Sequence, residues 1–151
     1  MQIIQHQNIL AQNLISYKTN VKKDNILQLI NYIINNLNAI NTEIKNKVIY
    51  TIKSEKNEYQ DVEILIPVKD KISISSGWQY KSIFKMYNAV RIRHEGNFND
   101  IEKTKQYILK YIDENDLTPV TSPYYVVIRN ENNFTTECII DIYIGINCNS
   151  L

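Results

Sequence analysis

Asp61-Val62-Glu63-Ile64-Leu65-Ile66-Pro67-Val68 and Ile140-Asp141-Ile142-Tyr143-Ile144-Gly145-Ile146 are two runs in which apolar residues alternate with others. Period-two alternation places successive side chains on opposite faces of a strand, one of them buried. Superposing Glu63 on Asp141 sets an offset of 78 residues, which also carries Ala11 to Ala89, Ile30 to Ile108 and Ile34 to Ile112. An internal repeat follows, each copy reading strand, helix, strand, strand.

In the first copy a strand is expected over about 7–18 and a helix over about 22–40, where Ile26, Leu29, Ile30, Ile33, Ile34, Leu37 and Ile40 recur at spacings of three and four. Asp24 places negative charge in that helix's first turn, where the dipole favours it. Strands over 46–54 and 60–69 form a hairpin around Ser54-Glu55-Lys56-Asn57-Glu58. The second copy has a strand over 84–94 and a helix over 99–114, with Ile101, Tyr107, Ile108, Tyr111 and Ile112 on its inner face. Strands over 123–130 and 136–147 join through Asn130-Glu131-Asn132-Asn133, and Lys69–Ile83, containing Ser75-Ser76-Gly77, links the copies.

Antiparallel hairpins with one helix per copy give an α+β fold: two modules in one antiparallel sheet, with helices on one face and a groove on the other. Parity sorts the last strands. Val62, Ile64, Ile66 and Val68, with Ile140, Ile142, Ile144 and Ile146, face the helices, while Glu63, Leu65, Asp141 and Tyr143 face away.

Composition excludes several functions. With 44% hydrophobic residues and only three Gly and three Pro, the 151-residue chain is too apolar for disorder and too poor in breakers for a linker. Its 17 basic and 16 acidic residues leave a net charge of +1, so direct nucleic-acid binding is not expected. The opening MQIIQHQNILAQNL does not read as a secretory signal, and no apolar run nears the roughly 20 residues that cross a bilayer. A cytoplasmic protein with no membrane partner is expected, its Cys138 and Cys148 reduced. His6 and His94 have no metal-ligand spacing with the scattered acids, and there is no phosphate loop or Gly-x-Ser-x-Gly, so no cofactor, metal or catalytic residue is expected. Cys138 shares parity with Ile140 and Ile142 and should be buried and inert. His94, at a strand end before Gly96, should fix the strand-to-helix turn.

Val90-Arg91-Ile92-Arg93-His94-Glu95-Gly96-Asn97-Phe98, followed by a helix and Tyr111-Ile112-Asp113-Glu114-Asn115-Asp116-Leu117, resembles the GyrI-like effector-binding domain family. The half-motif of that family is an apolar strand, His-x-Gly-x-aromatic, a helix with an aromatic-rich end, and a closing strand with an inward acid. Val62–Val68 and Ile140–Ile144 are similar to that closing strand, and the resemblance spans about residues 5–147. It implies one domain, residues 1–151, of two repeats (about 5–69 and 83–147) with a ligand groove between them, binding lipophilic, cationic or aromatic molecules. The acid corresponds to Asp141, where the family usually has Glu, and the family's Glu-x-Tyr is replaced by Val126-Val127-Ile128. A looser resemblance links Tyr124-Tyr125 and Ile140–Asn147 to short Gram-positive proteins encoded near type VII secretion genes, which implies a protein-interaction or secretion-accessory role. Some GyrI-like proteins hydrolyse strained rings, which makes enzyme activity a minor alternative.

The ligand-binding residues expected are Asp141, Glu63, Tyr143 and Tyr50, with Trp78 as a lid. A carboxylate in a water-poor groove attracts a cation by a few kcal/mol, and tyrosine faces add roughly 0.5–2 kcal/mol. The rival reading pairs the acids internally with Arg91 and Arg93, which alternate on one strand. The partner is therefore a small molecule or, in the alternative, a protein.

Overall fold

The computed structural model describes residues 1–70, 77–130 and 137–147. Ser75, Ser76, Cys148 and the 131–133 turn lie outside them. The fold is α+β and antiparallel, as the patterning implied. In chain order it runs β1 (Ile3–Lys22), α1 (Ile26–Ala39), β2 (Ile49–Lys56), β3 (Tyr59–Pro67), β4 (Trp78–Asn97), α2 (Ile101–Glu114), β5 (Thr118–Pro119), β6 (Tyr124–Asn130) and β7 (Glu137–Asn147).

Two compact units share these elements: Leu10–Lys85, and Met1–Ile9 with Met86–Leu151. In the first, which we call the Glu63 unit, β3 lies between β1 and β2, so that Lys18, Glu63 and Thr51 are abreast, as are Tyr17, Ile64 and Tyr50. In the second, the Asp141 unit, β7 lies between β4 and β6, with Arg93, Asp141 and Val126 abreast, and likewise Ile92, Ile142 and Tyr125. Residues directly abreast share a face.

His94 shows which face α2 covers. It stands abreast of Ile140, on the face of Ile92 and Ile142, and its Nδ1 lies 2.6 Å from Oγ1 of Thr104 on α2. Asp141 and Arg93 therefore face away from that helix. Ile92, Ile108, Ile140, Ile142 and Ile144 are fully enclosed on the helix side. In the Glu63 unit Ile26, Ile30, Ile64 and Ile66 do the same. Enclosing each such side chain is worth about 1.5–3 kcal/mol.

The repeat is real, but a single offset of 78 does not describe it. The first strand, the helix and the second strand of each copy correspond at 75, since β1 and α1 start at Ile3 and Ile26 while β4 and α2 start at Trp78 and Ile101. Only the closing strand runs at 78. Ile33 and Leu37 are thus the equivalents of Ile108 and Ile112, not Ile30 and Ile34, and Ala11 does not match Ala89. Two pairs of left-handed residues repeat at the same spacing, while His6 (φ 60°) in β1 has no counterpart at Lys81. Asn13 (φ 59°) and Asn88 (φ 56°) are left-handed within β1 and β4, and Asn41 (φ 59°) and Asp116 (φ 54°) are left-handed just past each helix. The two helix ends close identically, with Thr42 N–H donating to Leu37 O and Leu117 N–H to Ile112 O.

β1 and β4 are each 20 residues long, well beyond the stretches expected. The left-handed asparagines are the reason, because such a residue breaks alternation without ending the strand. Tyr107 is a second correction: it is exposed, and α2 buries Thr104, Ile108 and Ile112 instead.

Candidate functional site

Asp141 is only 2% exposed, beneath two guanidiniums. Arg93 grips it with two bonds, Nε to Oδ1 at 2.8 Å and Nη2 to Oδ2 at 3.0 Å, and Arg91 adds Nη1 to Oδ2 at 3.1 Å. The guanidinium fork matches both carboxylate oxygens, which makes this a directional clamp. Arg91 and Arg93 sit two residues apart on β4 and so share the face of Asp141. Arg91 Nε is buried with no hydrogen-bond partner among the described residues. Asp141 and the neighbouring carboxylate Glu95 hold the Arg93 guanidinium even more firmly protonated than usual. Tyr143, abreast of Arg91, has its hydroxyl pKa pushed up by burial and by the Asp141 charge.

Beside this clamp lies a cavity of about 740 Å³. Arg91, Arg93, Glu95 and the turn His94-Gly96-Asn97 form one wall, Asp100, Lys103 and Thr104 at the start of α2 another, and Met1, Gln2 and Ile4 of the chain's first stretch a third. The turn is held locally. His94 Nε2 lies 2.8 Å from Asn97 O, so both ring nitrogens are engaged, as a turn-fixing role requires. Gly96 has φ +125°, a conformation that side-chain-bearing residues rarely adopt.

The equivalent acid in the other unit is solved differently. Glu63, 3% exposed, accepts a 2.6 Å bond from Ser16 Oγ and lies 3.0 Å from Lys81 Nζ and 3.6 Å from Lys53 Nζ. Burial opposes its ionisation, but Ser16, Lys81 and Lys53 outweigh burial and hold the carboxyl below its usual 4.5. A smaller cavity of about 150 Å³ adjoins it, lined by Ser16, Lys18, Gly77, Trp78 and Gln79. Trp78 stacks on Tyr17 with ring centroids 4.7 Å apart.

Asp141 and Tyr143 therefore share one unit, and Glu63, Tyr50 and Trp78 the other. Tyr50 is a correction. It stands abreast of Ile64, on the face opposite Glu63, and is 1% exposed, so an odd-numbered neighbour such as Thr51 is what lies beside Glu63. Trp78 lies in β4, not in a connecting loop. Ser16 and Lys18, which sequence reading passed over, are the equivalents of Arg91 and Arg93 at the 75-residue spacing. That spacing was the available signal. Cys138 is buried, and burial pushes its thiol up to about 11, which suits an inert side chain. Among the described residues, no helix is long and apolar enough to cross a membrane, and no group of three His, Cys, Asp or Glu side chains could hold a metal.

No family model matches the sequence, and no curated protein matches it. Solved structures do. EcmrR in its DNA complex superposes with a TM-score of 0.80 at 16% identity, over 96% of this chain and 57% of EcmrR, so the chain spans little more than half of that protein. The isolated EcmrR C-terminal domain gives a TM-score of 0.70 at 17% identity, over 94% of this chain and 98% of that one. A hydrolase from Listeria innocua gives 0.60 at 11% identity, over 97% and 91%. Identities this low establish a shared fold and nothing further.

Proposed function

We propose that the chain is a small-molecule binding protein of the GyrI-like effector-binding kind, with its ligand in the cavity of the Asp141 unit. The observation that carries this reading is the cavity itself. About 740 Å³ lies within the ~300–1,000 Å³ range of ordinary ligand sites, and its wall combines the aliphatic Ile4 with a few fixed polar groups. In this reading Asp141 anchors the arginines, Tyr143 packs beside them, and Glu63 with Trp78 stabilises the other unit. A lipophilic body suits the wall at Ile4. A cation aimed at Asp141 would have to displace an arginine from a carboxylate that already receives three bonds. We read binding, not hydrolysis, as the activity, because the cavity's one histidine has both ring nitrogens engaged in holding its turn.

The test uses the neutral probe 2-naphthylacetamide and the ¹⁵N-labelled chain. Saturable shifts of the Gly96 and Asn97 amide resonances are expected. If neither this probe nor its carboxylate and ammonium relatives perturbs them up to millimolar concentration, the reading fails.

A further inference from the structure

The strongest donors on the cavity wall are the two guanidiniums of Arg91 and Arg93, and they set the charge of what docks there. Resting on the small-molecule reading above, we propose that the cavity takes an amphipathic monoanion, a carboxylate with an aromatic or aliphatic body, whose charged end docks on Arg91 and Arg93.

Asp141 is 2% exposed and already receives three bonds from the two guanidiniums. It presents almost no acceptor surface to a ligand. The guanidiniums are different. Each carries five N–H donors, only a minority of which reach Asp141, and the Arg93 side chain is 42% exposed beside the cavity. A planar carboxylate matches a guanidinium edge through two parallel bonds.

The remaining charges set the size of the anion. Lys103 adds a cation at the start of α2, though Asp100 lies 3.6 Å from it and offsets much of its field. Glu95 and Asp100 both put carboxylates on the wall, the second beside Lys103, and Asp141 lies under the floor. A dianion such as a phosphate would meet these acids with twice the repulsion, whereas a single negative charge can sit between the arginines. The body of the ligand would lie along Ile4. The smaller cavity in the Glu63 unit has no equivalent fork, since Ser16 and Lys18 occupy the two arginine positions.

The experiment compares three probes of one shape by calorimetry: 2-naphthylacetate, 2-naphthylacetamide and 2-(2-naphthyl)ethylammonium. Wild type should bind the carboxylate at least tenfold more tightly than the amide, and the amide more tightly than the ammonium. Arg93→Gln, at a half-exposed position, should bring carboxylate affinity down to that of the amide. Asp141→Asn frees both arginines from their internal counter-charge and should tighten carboxylate binding severalfold; circular dichroism verifies that the variant is folded, and wild type with Arg93→Gln decides the matter without it. Equal binding of carboxylate and amide, or tighter binding of the ammonium, overturns the proposal while leaving small-molecule binding intact. Absence of binding by all three removes the underlying reading as well.

Discussion

Glu63 and Asp141 occupy the same place on the closing strand of each repeat, yet the two units neutralise them in unlike ways. Glu63 is held by a hydroxyl from Ser16 and by lysines that reach in from β2 and from the start of β4. Asp141 is held by two arginines on consecutive same-face positions of one strand. Lysine is a flexible point charge, whereas arginine is a planar fork that fixes the geometry of its partner. The lysine solution accompanies a cavity of about 150 Å³ and the arginine solution one of about 740 Å³. One fold position thus yields a stabilising cluster in one unit and a candidate recognition site in the other.

If the cores beneath these sites are equivalent, equivalent truncations should behave alike. Ile64 and Ile142 are both fully enclosed and correspond at the closing-strand offset. Ile64→Ala and Ile142→Ala should each destabilise by about 2–5 kcal/mol, the usual loss for a buried large aliphatic. Urea unfolding of the two variants checks this. A difference between them larger than about 2 kcal/mol would break the equivalence of the units.

The acids should separate the units where the cores do not. Asp141→Asn leaves one acceptor oxygen for a fork that needs two, and should cost about 1–3 kcal/mol, the range for hydrogen bonds to charged groups. Glu63→Gln keeps an oxygen for Ser16 and Lys81 and should cost about 1 kcal/mol. Acid sharpens this second value. The Glu63 carboxyl titrates below its usual 4.5 in the folded chain, so its stabilisation is fully present above about pH 4.5 and is lost as pH falls through the lower folded value. The stability gap between wild type and Glu63→Gln should therefore narrow between pH 6 and pH 3. A gap that widens on acidification would mean that Glu63 is not held ionised by its lysines.

Alternation on the closing strands made the α+β fold and the facing of Asp141 legible in the sequence, because the irregularities in their pairing fall on the neighbouring strands, at Ile52/Ser54 and Val127/Arg129, and leave β3 and β7 themselves alternating. The long first strands were not legible, since Asn13 and Asn88 turn left-handed in mid-strand and reset the parity on either side. The same break hid the 75-residue correspondence that pairs Ser16 and Lys18 with Arg91 and Arg93. Tyr50 was misplaced for a related reason. An aromatic with a polar tip satisfies either face, and only its register against Ile64 assigns it to the enclosed one. The cavity could not be read at all, because its walls come from the chain's first residues, β4 and α2, which are far apart in sequence.

The two asparagines give the smallest and most selective comparison. Each pins its strand to the end of a closing strand through its side-chain amide: Asn13 Nδ2 donates to Val68 O at 2.7 Å, and Asn88 Nδ2 to Ile146 O at 3.3 Å. Asn13 also accepts a bond from the Tyr80 hydroxyl at 2.5 Å. Glycine at either position keeps the left-handed backbone and removes only the side-chain bonds, whereas alanine must also be forced into a region it avoids. Asn88→Gly should therefore lose about 0.5 kcal/mol and Asn13→Gly about 1 kcal/mol, since a net hydrogen bond is worth roughly 0.5–1.5 kcal/mol and the longer bond less. Each alanine variant should lose about 1 kcal/mol more than its glycine counterpart, the backbone penalty alone. Thermal melts of the four variants test the set. If alanine and glycine are equally tolerated at both sites, the left-handed residues are not what shapes β1 and β4, and the repeat would have to be matched by some feature other than its shared backbone irregularities.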